Sequence, residues 1–86
     1  MAKTSFVPPF PKYPVELKIA RVQGAVTVEV TVNADGVPTR SKAISGPIEL
    51  WPVSENFCSQ WRYQPLLEDG KPVPFRVRNV MTFRLR

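Results

Sequence analysis

Phe75-Arg76-Val77-Arg78-Asn79-Val80-Met81-Thr82-Phe83-Arg84-Leu85-Arg86 alternates from end to end. Phe75, Val77, Asn79, Met81, Phe83 and Leu85 share one side. Arg76, Arg78, Val80, Thr82, Arg84 and Arg86 share the other. A period of two marks a strand buried on one face. With no residue after Arg86 to cover it, the strand is expected at the rim of its sheet, with a row of unpaired backbone groups. Such a rim either aggregates or docks another extended chain.

Immediately upstream, Glu68-Asp69-Gly70-Lys71-Pro72 reads as a turn. Before it, Leu50, Val53, Phe57 and Trp61 recur at spacings of three and four, one apolar stripe of a helix expected over 49–62. Pro52 suits only the first turn, and Gln64-Pro65 is expected to stop the helix. Cys58 borders the stripe and reads as a small buried hydrophobe, since no histidine is present to activate a thiolate. Further upstream, Val26, Val28, Val30 and Val32 alternate with Thr27, Glu29 and Thr31, the pattern of a second half-buried strand. Ala34-Asp35-Gly36 turns it into a third, over 37–45, whose Pro38 belongs at a strand start or on an edge. Pro14 suits the first turn of a short helix over 15–22, with Val15, Ile19 and Val22 on its apolar side and Gly24 ending it. The order is helix, strand, strand, helix, strand. It implies an α+β domain: a three-stranded antiparallel sheet with one main helix packed on one face and a short N-terminal helix.

The N-terminal run from Phe6 to Pro14 holds four prolines. It favours extended polyproline II and reads as the end of a stiff spacer, which divides the chain into a tail, 1–12, and a domain, 13–86. The 86 residues fit one domain; 43% are hydrophobic and 22% charged, the balance of a globular chain. Without histidine and with a single cysteine, histidine catalysis and a structural zinc site are excluded. No glycine loop cradles phosphate, and no serine or cysteine has a histidine base, so no catalytic residue, metal or cofactor is expected. The formal charge of +5 is unevenly placed. Residues 1–70 hold seven basic and seven acidic groups, and the excess is Lys71, Arg76, Arg78, Arg84 and Arg86. These charges either keep the rim from aggregating or steer an acidic partner to it. No apolar run is long enough to span a bilayer, and Met1-Ala2-Lys3-Thr4-Ser5 lacks the apolar stretch of a signal peptide. The chain is expected to be soluble by itself, whether complete or cut from a longer anchored protein with Met1 added.

Several pieces, in this order, resemble the C-terminal domains of TonB proteins. They are Tyr13-Pro14 before a short helix, Gly24-Ala25-Val26-Thr27-Val28-Glu29-Val30-Thr31-Val32, Asp35-Gly36, Ser45-Gly46, Trp61-Arg62-Tyr63-Gln64-Pro65, Asp69-Gly70-Lys71-Pro72-Val73 and Thr82-Phe83-Arg84-Leu85. The resemblance runs from about Phe10 to the end and implies the TonB/TolA type of fold. It further implies a periplasmic domain of a protein anchored in the inner membrane through a segment missing here. There a proton-channel complex supplies energy from the proton-motive force. The domain would capture the TonB box of outer-membrane transporters, a short extended motif, as a strand added beside its last one. On this chain the partner-binding residues would be Arg76, Val77, Arg78, Asn79, Val80, Met81, Thr82, Phe83 and Arg84. Arg76, Arg78 and Arg84 would pair with acidic groups of the motif. A strand-exchanged homodimer is a further implied partner. Ser41 and Ala43 depart from the larger aliphatics of the family and imply a thinner core there.

Two other classes stay open on the residues alone. One is a self-associating structural domain whose last strand pairs with its own copy. The other is a single-stranded nucleic-acid binder using the arginines with Trp51, Tyr63 and Phe75. The aromatics fall mainly on core positions and no RNA-binding motif is present, so no nucleic acid is expected as partner.

Overall fold

The computed structural model describes residues 3–85; Met1, Ala2 and Arg86, the expected last residue of the terminal strand, lie outside the described residues. Strand β1 is Thr4–Phe6, helix α1 Val15–Ile19, β2 Gly24–Val32 and β3 Pro38–Ser45. Helix α2 is Trp51–Ser59, and four more strands follow: β4 Arg62–Tyr63, β5 Leu66–Glu68, β6 Lys71–Val73 and β7 Phe75–Phe83. The main sheet is antiparallel with the order β3-β2-β7.

The centre of the sheet is β2. Its β-branched residues suit a pleated surface, and Val26, Val28, Val30 and Val32 are fully buried on one face. Helix α2 packs over β3 and β2 on that face. A 3-10 turn, Ile48–Leu50, leads into it, with Pro52 in the first turn as required. Leu50, Ser54, Phe57 and Cys58 form its buried side, while Val53 and Trp61 are half-buried. The Ser54 hydroxyl turns back to the Leu50 carbonyl at 2.7 Å, which satisfies it inside the core.

Four expectations change. Helix α2 ends at Ser59 rather than near Arg62, so Pro65 does not stop it. Trp61 N–H bonds the Cys58 carbonyl at 3.2 Å, and the chain then straightens into β4. Tyr63 is thereby buried instead of released into a turn: its N–H donates to Gly36 O at 2.9 Å and its ring meets Phe75 edge-on. In α1 the apolar side is not Val15, Ile19 and Val22, for Val15 and Ile19 are 65% and 79% exposed. Leu17 and Val22 face the core. The helix stops at Ile19, before Gly24, because Arg21 takes the left-handed conformation (φ 56°). Val22 N–H then reaches Leu17 O, and Arg21 N–H reaches Lys18 O, a Schellman closure without glycine.

The N-terminal segment folds back onto the domain. β1 pairs with β4 (Thr4 opposite Tyr63, Phe6 opposite Arg62), and Gln64 N–H donates to Lys3 O at 2.8 Å. Phe10 stacks at a tilt on Phe57 of α2 and on Phe83 of β7, 5.5 and 5.2 Å between centroids. Tyr13 meets Phe83 edge-on and donates its hydroxyl to Val22 O. The strap thus runs from the β4 end of the sheet to the end of β7, beside the helix. At the thin spot, Ala43 is buried and the Glu55 carboxylate accepts its N–H at 2.8 Å. Ser41 Oγ has no partner among the described residues.

Gly36 carries two constraints at once. Its φ is +83°, and a Cβ there would sit 2.0 Å from the Tyr63 carbonyl oxygen. Gly70, in the β5–β6 turn, has φ +77° but open space around it. Gly36→Ala is expected to cost at least about 2 kcal/mol and to lower the melting temperature by about 8 °C or more. Gly70→Ala should cost only about 1 kcal/mol. Thermal unfolding monitored by circular dichroism compares the two.

A small polar group lies under the sheet, buried at Cys58, Tyr63 and Met81 and half-buried at Asn79. Asn79 Nδ2 donates to Tyr63 Oη at 2.8 Å, and Cys58 Sγ lies 3.7 Å from Met81 Sδ. Burial pushes both the Cys58 thiol and the Tyr63 phenol above their ordinary 9.0 and 10.0, against the opposing hydrogen bond from Asn79. Both native acids therefore hold their protons more tightly than the unfolded chain does. Their stabilisation is complete below the ordinary values and is lost as pH rises through the raised ones. Denaturant midpoints should hold level up to about pH 9 and then fall. Tyr63→Phe is expected to remove the part of the fall above about pH 10 and to cost about 1 kcal/mol at neutral pH.

Candidate functional site

Strand β7 pairs with β2 through nine consecutive residues, Phe75 opposite Val32 to Phe83 opposite Gly24, without a register shift. Among the described residues nothing pairs with its other side. In an antiparallel strand, successive residues turn their N–H and C=O to alternate sides. Three bonds settle which way each residue of β2 faces. Thr31 O accepts the Thr39 hydroxyl, Asn33 N–H bonds Val37 O, and Ala43 N–H opposite Val28 is spent on Glu55 rather than on β2. The odd-numbered residues of β2 therefore address β3, and Val28, Val30 and Val32 address β7. Their partners Asn79, Val77 and Phe75 face inward. By alternation, the main-chain groups of Arg76, Arg78, Val80 and Thr82 face the open side.

Of the nine residues singled out in the sequence, the rim thus takes its hydrogen-bonding groups from these four. Their side chains are exposed, on the sheet face away from α2. Val77, Asn79, Met81 and Phe83 turn both side chain and main chain into the molecule, and Met81 and Phe83 are buried. Arg84 is exposed just beyond the end of β7. Arg78 already has a partner, Glu29 Oε2 at 3.4 Å from its Nε. Arg76 and Arg84 have no carboxylate within ion-pair distance among the described residues. Trp51 and Phe75 are half-buried and Tyr63 buried, so they form no stacking platform with the arginines.

The opposite rim, on β3, is built differently. Register shifts leave Ile44 and Thr39 without opposite residues, Pro38 opens the strand, and Glu55 occupies the Ala43 donor. Bulges, proline and a covering side chain all blunt an edge. The regular rim is the one on β7. At its far end it runs into a groove of about 610 Å3 between Phe10–Tyr13 and Thr82–Leu85. Sequence reasoning missed Phe10, which reads as spacer, and Glu29, whose pairing with Arg78 depends on strand register. Of the two, only the charge complementarity of Glu29 and Arg78 was visible beforehand.

Among the described residues, no group of histidine, cysteine, aspartate and glutamate side chains is placed to hold a metal ion. No described helix is long and apolar enough to cross a membrane. The family of Gram-negative bacterial TonB protein C-terminal domains matches this chain over residues 9–85. A search of curated proteins gives no match. The fold is similar to the solution NMR structure of the Pseudomonas aeruginosa TonB C-terminal domain, with a TM-score of 0.70 and 24% identity over 98% of this chain and 86% of that one. The chain therefore belongs to the TonB C-terminal family, periplasmic domains without enzymatic activity that serve TonB-dependent energy transduction toward outer-membrane transporters.

Proposed function

We propose that the outer rim of β7 captures the TonB box of an outer-membrane transporter as an added strand. The observation that carries this reading is a regular nine-residue edge whose outward side is paired with no strand among the described residues. Four outward residues offer up to eight backbone hydrogen bonds, each about 0.5–1.5 kcal/mol net. Ordering the peptide costs about 1–2 kcal/mol per residue. The two roughly cancel, so side chains decide affinity. Arg76 and Arg84 are the cations left to draw acidic groups, at about 0–1 kcal/mol each. They steer the peptide more than they hold it.

In this reading residues 1–12 are the end of a spacer and 13–86 the domain, with the spacer folded back through Phe10. An anchored parent protein would link the domain to the proton-channel complex of the inner membrane. A second copy could use the same rim in a strand-exchanged dimer, which would compete with the peptide.

Two proline substitutions separate docking from folding. Val80→Pro removes an outward donor and is expected to weaken binding of a TonB-box peptide at least about tenfold, the loss of about 1.4 kcal/mol, while melting falls by a few degrees. Asn79→Pro removes a donor to β2 and should cost about 3 kcal/mol or more of stability. Calorimetric titration with the peptide and thermal unfolding read the two effects. Unchanged affinity in folded Val80→Pro would move the dock away from this rim.

A further inference from the structure

The sequence divides into a neutral part and a basic end, but the fold regroups the charges. On the sheet face turned away from α2, register aligns Lys42, Glu29 and Arg78 in one row across β3, β2 and β7. Arg40, Thr31 and Arg76 form the next row. Arg40 and Lys42 come from the neutral part. Strand spacing puts the outer cations of a row about 10 Å apart, and the rows about 7 Å apart. Glu29 is the one acid on this face. Glu16 lies on α1, Asp35 at the β2–β3 turn, Glu49 and Glu55 along the helical segment, and Glu68 and Asp69 on the β5–β6 hairpin. All four cations are exposed.

We infer that this open sheet face docks on an anionic phospholipid bilayer. The cations form a planar array rather than a cleft, and the two best-defined grooves among the described residues lie elsewhere, around residues 10–13, 23–25 and 82–85. An acidic protein partner would be expected to find an aromatic anchor in a pocket, and a nucleic acid a stacking ring. The open-face positions of β2 and β7 carry neither: they are Ala25, Thr27, Glu29 and Thr31, and Arg76, Arg78, Val80 and Thr82. Val80, 66% exposed one row above Arg78, gives the array a small apolar member at headgroup depth. Cations near an anionic surface act additively, so a plane of charge suits them best. The family's transporters sit in a membrane, which brings a lipid surface next to the docked domain.

Vesicle co-sedimentation of the full chain tests this, with phosphatidylglycerol–phosphatidylcholine vesicles against phosphatidylcholine alone at two salt concentrations. Binding should need the anionic lipid and fall as salt rises. Arg40→Gln with Lys42→Gln is expected to reduce partitioning more than tenfold. Glu29→Gln should raise it several-fold, an increase that damage to the fold would not produce. Lys12→Gln with Lys18→Gln makes the same change in net charge off the face and should have a much smaller effect. Equal loss in both double variants, no preference for anionic vesicles, or binding to polyglutamate but not to vesicles would each overturn the inference. Arg40 and Lys42 lie on the opposite edge strand from β7, so TonB-box affinity of that variant should be unchanged, whichever way the vesicle result falls.

Discussion

Within an antiparallel strand, a residue's side chain and its main-chain hydrogen-bonding pair change sides together. That coupling organises β7. The residues whose apolar or amide side chains build the core (Val77, Asn79, Met81, Phe83) are those whose backbone is spent on β2. The residues that present open-face side chains (Arg76, Arg78, Val80, Thr82) keep their backbone for the rim. Core formation therefore does not consume the rim, and exposing the rim does not open the core. Shifting the strand by one residue would bury arginines and expose Phe83, so burial also holds the register.

The inner face of the sheet is closed by two unlike covers. Helix α2 lies over β3 and β2, and aromatic rings close the side toward β7. Phe10 bridges Phe57 and Phe83, while Tyr63 stands between Trp61 and Phe75. Tyr63 ties the parts together: its backbone holds the β2–β3 turn through Gly36, and its hydroxyl accepts from Asn79 on β7. The one strongly polar residue on the inward side of β7 thus has a buried partner. A sheet covered this way on one face and bare on the other leaves its flat basic side and its regular edge available together.

The legible parts of this chain were those set by local periodicity. The valines of β2 and the alternation of β7 gave strand and face, because period-two burial is written directly into neighbouring residues. The Asp69-Gly70 turn was readable from its own two residues, which take the positive φ values the turn needs. What was hidden depends on distant contacts. Trp61 continues the helical stripe of Leu50, Val53 and Phe57 in sequence, yet Tyr63 leaves the helix line because its backbone bonds Gly36, 27 positions earlier. The apolar side of α1 was misjudged since five residues give too short a period to choose between Val15–Ile19 and Leu17–Val22. Prolines around Phe10 suggested a spacer, and nothing local shows that Phe83 supplies its seat. At the site, the arginines were visible, but the parity of the backbone, the pairing of Arg78 with Glu29 and the alignment of Arg40 with Arg76 all follow from register.

Amide hydrogen exchange, residue by residue in the peptide-free monomer, tests the bare rim most directly. The N–H groups of Val77, Asn79 and Met81 should exchange slowly and those of Arg76, Arg78, Val80 and Thr82 rapidly, in strict alternation and independently of protein concentration. Slow exchange at all of these positions in a single subunit would mean that the rim is already occupied, and would contradict the account.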